Sequence, residues 1–216
     1  MTPTPISPVP NALLLTTPSC AHCAALKIIL EKLLGEGLLA QVDIVDVTEQ
    51  PTIAQQYAVK AVPWLKLGPI QLRGSQTETE LRQWLGLLDP SLPATGLFAH
   101  LLETDALDQV IALIEQQPDL LPDLLPLVAD AELDLKIRLG ISAVFETFEG
   151  LSVLQQIISR LHELAGHEHP RVRADAAHFL SLTHSHEARV LLQQLTRDAD
   201  REVREIATEA LQQEHQ

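Results

Sequence analysis

Both cysteines of the chain fall within four residues, in Cys20-Ala21-His22-Cys23. Two cysteines dropped at random into a chain this long would show that spacing only about once in a hundred, so the pair reads as a functional dithiol. Such a pair can cycle between dithiol and disulfide. One thiolate attacks a foreign disulfide, and the second attacks the mixed disulfide and releases the reduced partner. A short apolar run precedes Cys20 and a helical pattern follows it, which predicts Cys20 at a helix N-terminus. There, unpaired backbone N–H groups and the positive end of the dipole favour a thiolate. His22 can add positive charge or a hydrogen bond to the same end. Cys20 is thus the expected nucleophile, and Cys23, one turn inside and more buried, the resolving thiol. An inert pair or half a zinc site are the other readings. The zinc reading lacks a second cysteine pair to complete four ligands.

The elements that must position this dithiol occupy the first 88 residues. Ala12–Thr17 reads as a buried strand, and Cys20–Leu34 as a helix with Leu26, Ile29, Leu30, Leu33 and Leu34 at helical spacing. Val42–Val47 alternates apolar and acidic residues as a strand, and Pro51 opens a helix over Thr52–Tyr57. Trp64–Leu67 and Ile70–Arg73 are short strands joined by Gly68-Pro69. A closing helix follows over Thr77–Leu88, with Thr77 and Glu80 spaced as a capping box.

Met1–Pro10, with four prolines, reads as a flexible amino-terminal segment, and Asp89–Gly96 as a linker between domains 11–88 and 97–216. Beyond it every pattern is helical: Leu97–Glu103, Leu107–Gln116, Leu120–Val128, Leu133–Phe148, Val153–Leu164, Arg171–Leu182, Ala188–Arg197 and Glu202–Gln213. An internal repeat sits here. His169–Leu180 aligns with Asp200–Leu211, pairing Val172 with Val203, Arg173 with Arg204, Ala176 with Ala207 and Leu180 with Leu211; Ile137-Arg138 is a weaker third copy.

The Cys-Ala-His-Cys step after a first strand, followed by Ala61-Val62-Pro63 before the third, resembles the thioredoxin and glutaredoxin superfamily over Asn11–Leu88. The resemblance implies a four-stranded sheet and a cis Val62–Pro63 bond lying against the dithiol. It also implies a substrate site at Val62 and Pro63, where backbone pairs with substrate; Trp64, immediately after Pro63, reads either as a core side chain or as a substrate contact near the dithiol. The chain departs from thioredoxins in having Leu14 in place of the buried aspartate six residues before the first cysteine, Ser19 in place of tryptophan, and Ala-His in place of Gly-Pro. The glutathione-binding set of glutaredoxins is also not matched. The apolar-Arg repeat resembles the HEAT repeat family, whose helix pairs stack into a curved solenoid. The expected fold is therefore α/β plus all-α: a thioredoxin-like domain followed by an α-helical HEAT-like solenoid.

Composition bounds the rest. The 216 residues are 46% hydrophobic and carry a formal charge of −14, which argues against nucleic acid as the main partner. Residues 1–88 hold six basic and seven acidic side chains, whereas residues 89–216 hold nine and 22. From Asp89 to Asp134 there are ten acidic groups and no Lys or Arg. A solvated surface explains this, or an acidic face for a partner with a basic surface. Six of the nine histidines lie between His162 and His186, without a metal-ligand spacing. No Gly-rich dinucleotide fingerprint is present, so no cofactor and no metal are expected, and electrons would come from an external thiol reductant or reductase. No signal or membrane segment is legible, and the expected setting is the cytoplasm. The expected activity is thiol–disulfide oxidoreduction of a protein substrate recruited by the helical domain. The alternative is an adaptor whose helices bind a partner and whose thioredoxin-like domain is a docking module. Carriage of persulfide sulfur on Cys20 would use the same residues.

Overall fold

A computed structural model describes residues 9–213, so most of the Pro-rich segment 1–10 lies outside the described residues. The chain divides between Pro93 and Ala94 into two compact units.

The first unit runs β1 (Asn11–Thr16), α1 (Ala21–Gly35), β2 (Gln41–Asp46), α2 (Pro51–Gln56), β3 (Trp64–Leu67), β4 (Ile70–Arg73) and α3 (Glu78–Leu87). Its sheet has the order β2-β1-β3-β4, with β1 parallel to β2 and antiparallel to β3. Alternation along the strands sorts the side chains onto two faces. Ala12, Leu14, Leu65, Leu67, Ile70 and Leu72 share one face and are buried. Leu26, Leu30 and Leu33 of α1 and Leu81 of α3 are buried with them. Ion pairs Lys32–Glu78 and Arg82–Glu36 tie α1 to α3. The other face carries the row Leu13, Asp43, Lys66 and Gln71, none of them fully buried. The β3–β4 turn needs Gly68, whose φ is +54° and whose N–H donates to the Asn11 carbonyl at 2.8 Å. Thr77 and Glu80 form the capping box that starts α3.

The second unit contains α4 (Thr95–Glu103), α5 (Leu107–Gln116), α6 (Leu125–Val128), α7 (Leu135–Thr147), α8 (Ile158–Ala165), α9 (Pro170–Leu182), α10 (His186–Leu195) and α11 (Arg201–Gln213). Helices α4, α7, α9 and α11 pack successively side by side, while α8 and α10 back α9. Phe145 stacks on Phe179 with ring centroids 4.3 Å apart, joining α7 to α9. At Gly140 the α4–α7 contact is so close that a Cβ would stand 2.8 Å from Leu102 Cδ2.

The repeated arginines stitch these helices. Arg138 makes a bidentate pair with Asp175, and Arg173 makes one with Asp198. Arg173 also donates to the carbonyls of His167 and Glu168, as Arg204 does to those of Asp198 and Ala199, at 2.8–2.9 Å. The same arginine thus clasps the same turn in both copies.

Three helices differ from their sequence-based outlines. Leu120–Val128 is a tighter 3₁₀ segment over Pro118–Leu124 that runs into the single turn α6, because Pro122 and Pro126 lack the N–H that an α-helix uses. Ser152–Ile157 is likewise 3₁₀ before α8. Helix α4 begins at Thr95, inside the expected linker. Asp123 accepts from Ala94 N and Thr95 donates to the Asp123 carbonyl, both at 2.7 Å.

Candidate active site

The chain leaves β1 through a turn in which Cys20 N donates to the Thr17 carbonyl at 3.1 Å. Cys20 then caps α1 with an extended backbone, φ −85° and ψ 97°. Its Sγ accepts from Cys23 N at 3.2 Å, so one of the helix's unpaired N–H groups is aimed at the sulfur. A donor in that place stabilises negative charge on the same sulfur when the pair is reduced. The two cysteines are joined in a disulfide with Cα atoms 5.3 Å apart. Cys20 is half-buried, whereas Cys23 is only 2% exposed, so Cys20 is the more accessible of the two residues.

Strand pairing brings the second part of the site alongside. β1 and β3 pair as far as Leu15 with Trp64, so Val62-Pro63 lies just beyond the paired end of β3, on the side where Thr17–Cys20 leaves β1. The Val62–Pro63 bond is cis, and the Pro63 carbonyl accepts from Gly74 N at 3.0 Å. Val62 is half-exposed and Pro63 is buried. Trp64 is 2% exposed, with the Tyr57 ring 5.0 Å away and Lys66 Nζ 5.3 Å from that ring. Core packing, one of the two readings of Trp64, describes its ring here, which lies against Tyr57, while Val62 beside it keeps partial exposure.

His22 is exposed on the first turn of α1. Leu14 is fully buried in the row Ile44, Leu14, Leu65 and Leu72, so that row offers Cys23 no carboxylate. At the carboxyl end of β2, Asp46 accepts from Thr48 Oγ1 at 2.6 Å and Thr48 N at 2.8 Å. These two bonds hold its carboxyl below the usual carboxylate range. This Asx turn and the Tyr57–Trp64 contact are features that the sequence reading did not describe. The Asp-x-Thr spacing was the available signal for the first.

Among the described residues, no three His, Cys, Asp or Glu side chains are placed to hold a metal ion. His167 Nδ1 and His169 Nδ1 instead accept from the N–H groups of His169 and Arg171 at the start of α9. Among the described residues no helix is long and apolar enough to cross a membrane.

Comparison with known proteins agrees with this architecture. Residues 12–86 match the thioredoxin domain family, and residues 150–212 match the HEAT repeats family. The thioredoxin of Methanocaldococcus jannaschii is 34% identical over 70 residues, which span 32% of this chain and 82% of that protein. With the dithiol at a helix start and a cis proline at the neighbouring strand end, the chain belongs to the thioredoxin family through its first unit and carries HEAT repeats in its second.

Proposed function

We propose that the protein is a thiol–disulfide oxidoreductase acting on a protein substrate. The half-buried Cys20, its sulfur capping α1 under a backbone N–H, carries this reading. In the reduced protein the Cys20 thiolate attacks a substrate disulfide, forming one S–S bond as one substrate sulfur leaves as thiolate. Cys23, deprotonated, then attacks Cys20 Sγ and the second substrate sulfur leaves. Two electrons pass to the substrate, and the Cys20–Cys23 disulfide is returned to dithiol by an external thiol reductant. Substrate backbone pairs as an added strand at Val62, and Pro63 borders the reacting sulfurs. His22 or a water takes the Cys23 proton, since Leu14 supplies no carboxylate.

The helical unit recruits the substrate, and the cytoplasm, where thiols are kept reduced, is the setting. Insulin reduction with dithiothreitol as electron source tests the activity. Wild type should exceed Cys20→Ser by roughly a thousandfold or more. Wild-type activity no higher than that of Cys20→Ser would sink the oxidoreductase reading. It would favour an adaptor, a reading supported by the fully buried Leu14. An unchanged reduction potential in His22→Pro would remove His22 from the mechanism.

A further inference from the structure

We propose that the outer face of α7 docks a basic amphipathic helix of a partner protein, with Leu135 and Leu139 as its apolar contact. Both leucines lie on α7, one turn apart, and they are 63% and 61% exposed. Residues at this spacing stand one above the other and form a ridge of the kind that fits between the ridges of another helix.

The array itself does not need leucine there. In the internal repeat Leu135 aligns with Pro170 and Arg201, and Leu139 aligns with Ala174 and Glu205. In α11 that pair of positions is an ion pair, Arg201 to Glu205 at 2.7 Å. Ala174 is buried in α9, whereas Leu139 at the same place in α7 stands in water with Leu135, and such an exposed leucine pair fits an apolar partner surface.

Charge selects the partner. Glu132 and Asp134 precede the ridge, Asp175 of α9 lies beside it, and Glu202 of α11 is near enough for its charge to act on Arg138. The two cations of the same turn are engaged: Lys136 with Asp105 at 2.9 Å, and Arg138 with Asp175 in two bonds. Arg171 also reaches the Asp130 and Leu133 carbonyls beside this helix start, yet with Glu132, Asp134 and Glu202 the balance stays acidic, which disfavours a second copy of this chain and favours Lys and Arg flanking the partner's apolar stripe.

The test uses the full chain and a fluorescein-labelled synthetic helical peptide, with Leu on one face and Lys and Arg on the other, followed by anisotropy. Two control peptides replace its basic residues by Glu or its Leu by Ser. The basic Leu peptide should bind wild type, weaken with salt, and lose at least about tenfold in affinity for the Leu135→Ser, Leu139→Ser double variant. Neither control peptide should bind. Equal binding to wild type and the double variant, binding of the Glu peptide, or no binding of the basic peptide would overturn the proposal. So would a wild-type dimer in sedimentation that the double variant dissociates, which would assign the face to a second copy. Cys20→Ser should bind like wild type, so this surface stands or falls separately from the dithiol chemistry. Both leucines are exposed, and an unchanged circular dichroism spectrum of the double variant checks that its fold is kept.

Discussion

Both units must satisfy the unpaired N–H groups at their helix starts, and they spend those groups differently. In the helical unit the caps are Asp134 for α7, His169 for α9 and Ser185 for α10, each accepting a backbone N–H and contributing to architecture. In the first unit the cap of α1 is Cys20, so the group that elsewhere fastens a helix is aimed at one sulfur of the Cys20–Cys23 disulfide. The surroundings follow the same division. The second unit repeats one fastening: Arg173 and Arg204 each clasp the preceding turn, and Arg138 and Arg173 each pair with an aspartate. The first repeats nothing, and it places its dithiol by pairing two strands that lie far apart in sequence. Placing chemistry calls for a unique arrangement, whereas extending a surface needs only a recurring one.

The two units can be perturbed and observed separately, because both tryptophans, Trp64 and Trp84, are buried in the first unit. Tryptophan fluorescence reports that unit's unfolding, and far-ultraviolet circular dichroism is dominated by the helices of the second. The largest effect is expected from Leu14→Asp, which buries a carboxyl group among apolar side chains. It should destabilise the fluorescence transition by about 4 kcal/mol and leave the dichroism transition in place. Stopped-flow kinetics should also show faster resolution of the mixed disulfide. An unaltered resolution rate would mean that a buried acid at this position has no part in the chemistry.

Next comes Arg173→Ala, which removes both the Asp198 pair and the clasp on two carbonyls. The side chains of Arg173 and Asp198 are only 14% and 10% exposed, so a loss of about 3 kcal/mol is expected in the dichroism transition alone. This difference should depend on pH. The Arg173 hydrogen bonds hold the Asp198 carboxyl below its ordinary value. Stability from a depressed carboxylate is fully present above the unfolded value of about 4 and is lost as the pH falls through the folded value. The gap between wild type and variant should therefore narrow in acid to what the two carbonyl bonds contribute, as denaturation at a series of pH values would show.

Thr77→Ala removes half of the capping box and should lower the fluorescence transition by about 1 kcal/mol. Smallest of all, Arg201→Ala breaks an exposed pair with Glu205 and should shift neither transition measurably.

Local signals were legible where a few neighbouring residues decide the outcome. β3 and β4 run over Trp64–Leu67 and Ile70–Arg73 as their spacing predicts, the Thr77–Glu80 box caps α3, and Cys20 stands at the start of α1. Residues whose environment is made by distant partners were not. The start of α4 at Thr95 depends on Asp123, far along the chain, and no pattern around Thr95 announces it. For Trp64 the position after Pro63 left packing and substrate contact both open, and the Tyr57 ring against it comes from a separate helix end. The 3₁₀ segments were obscured because apolar spacing in Leu120–Val128 suits a helix, while Pro122 and Pro126 remove the donors that would build one.

The sequence by itself determined the dithiol, its place at a helix start, the division into unlike halves and the repeated arginine. These rest on spacing, capping and periodicity, which act over one or two turns of chain. Only the tertiary structure decided which side chains underlie the site, which carboxylates the arginines meet and which leucines of α7 stay in water. Those outcomes depend on what other segments bring to the same place, and burial is a property of the assembled neighbours rather than of the residue.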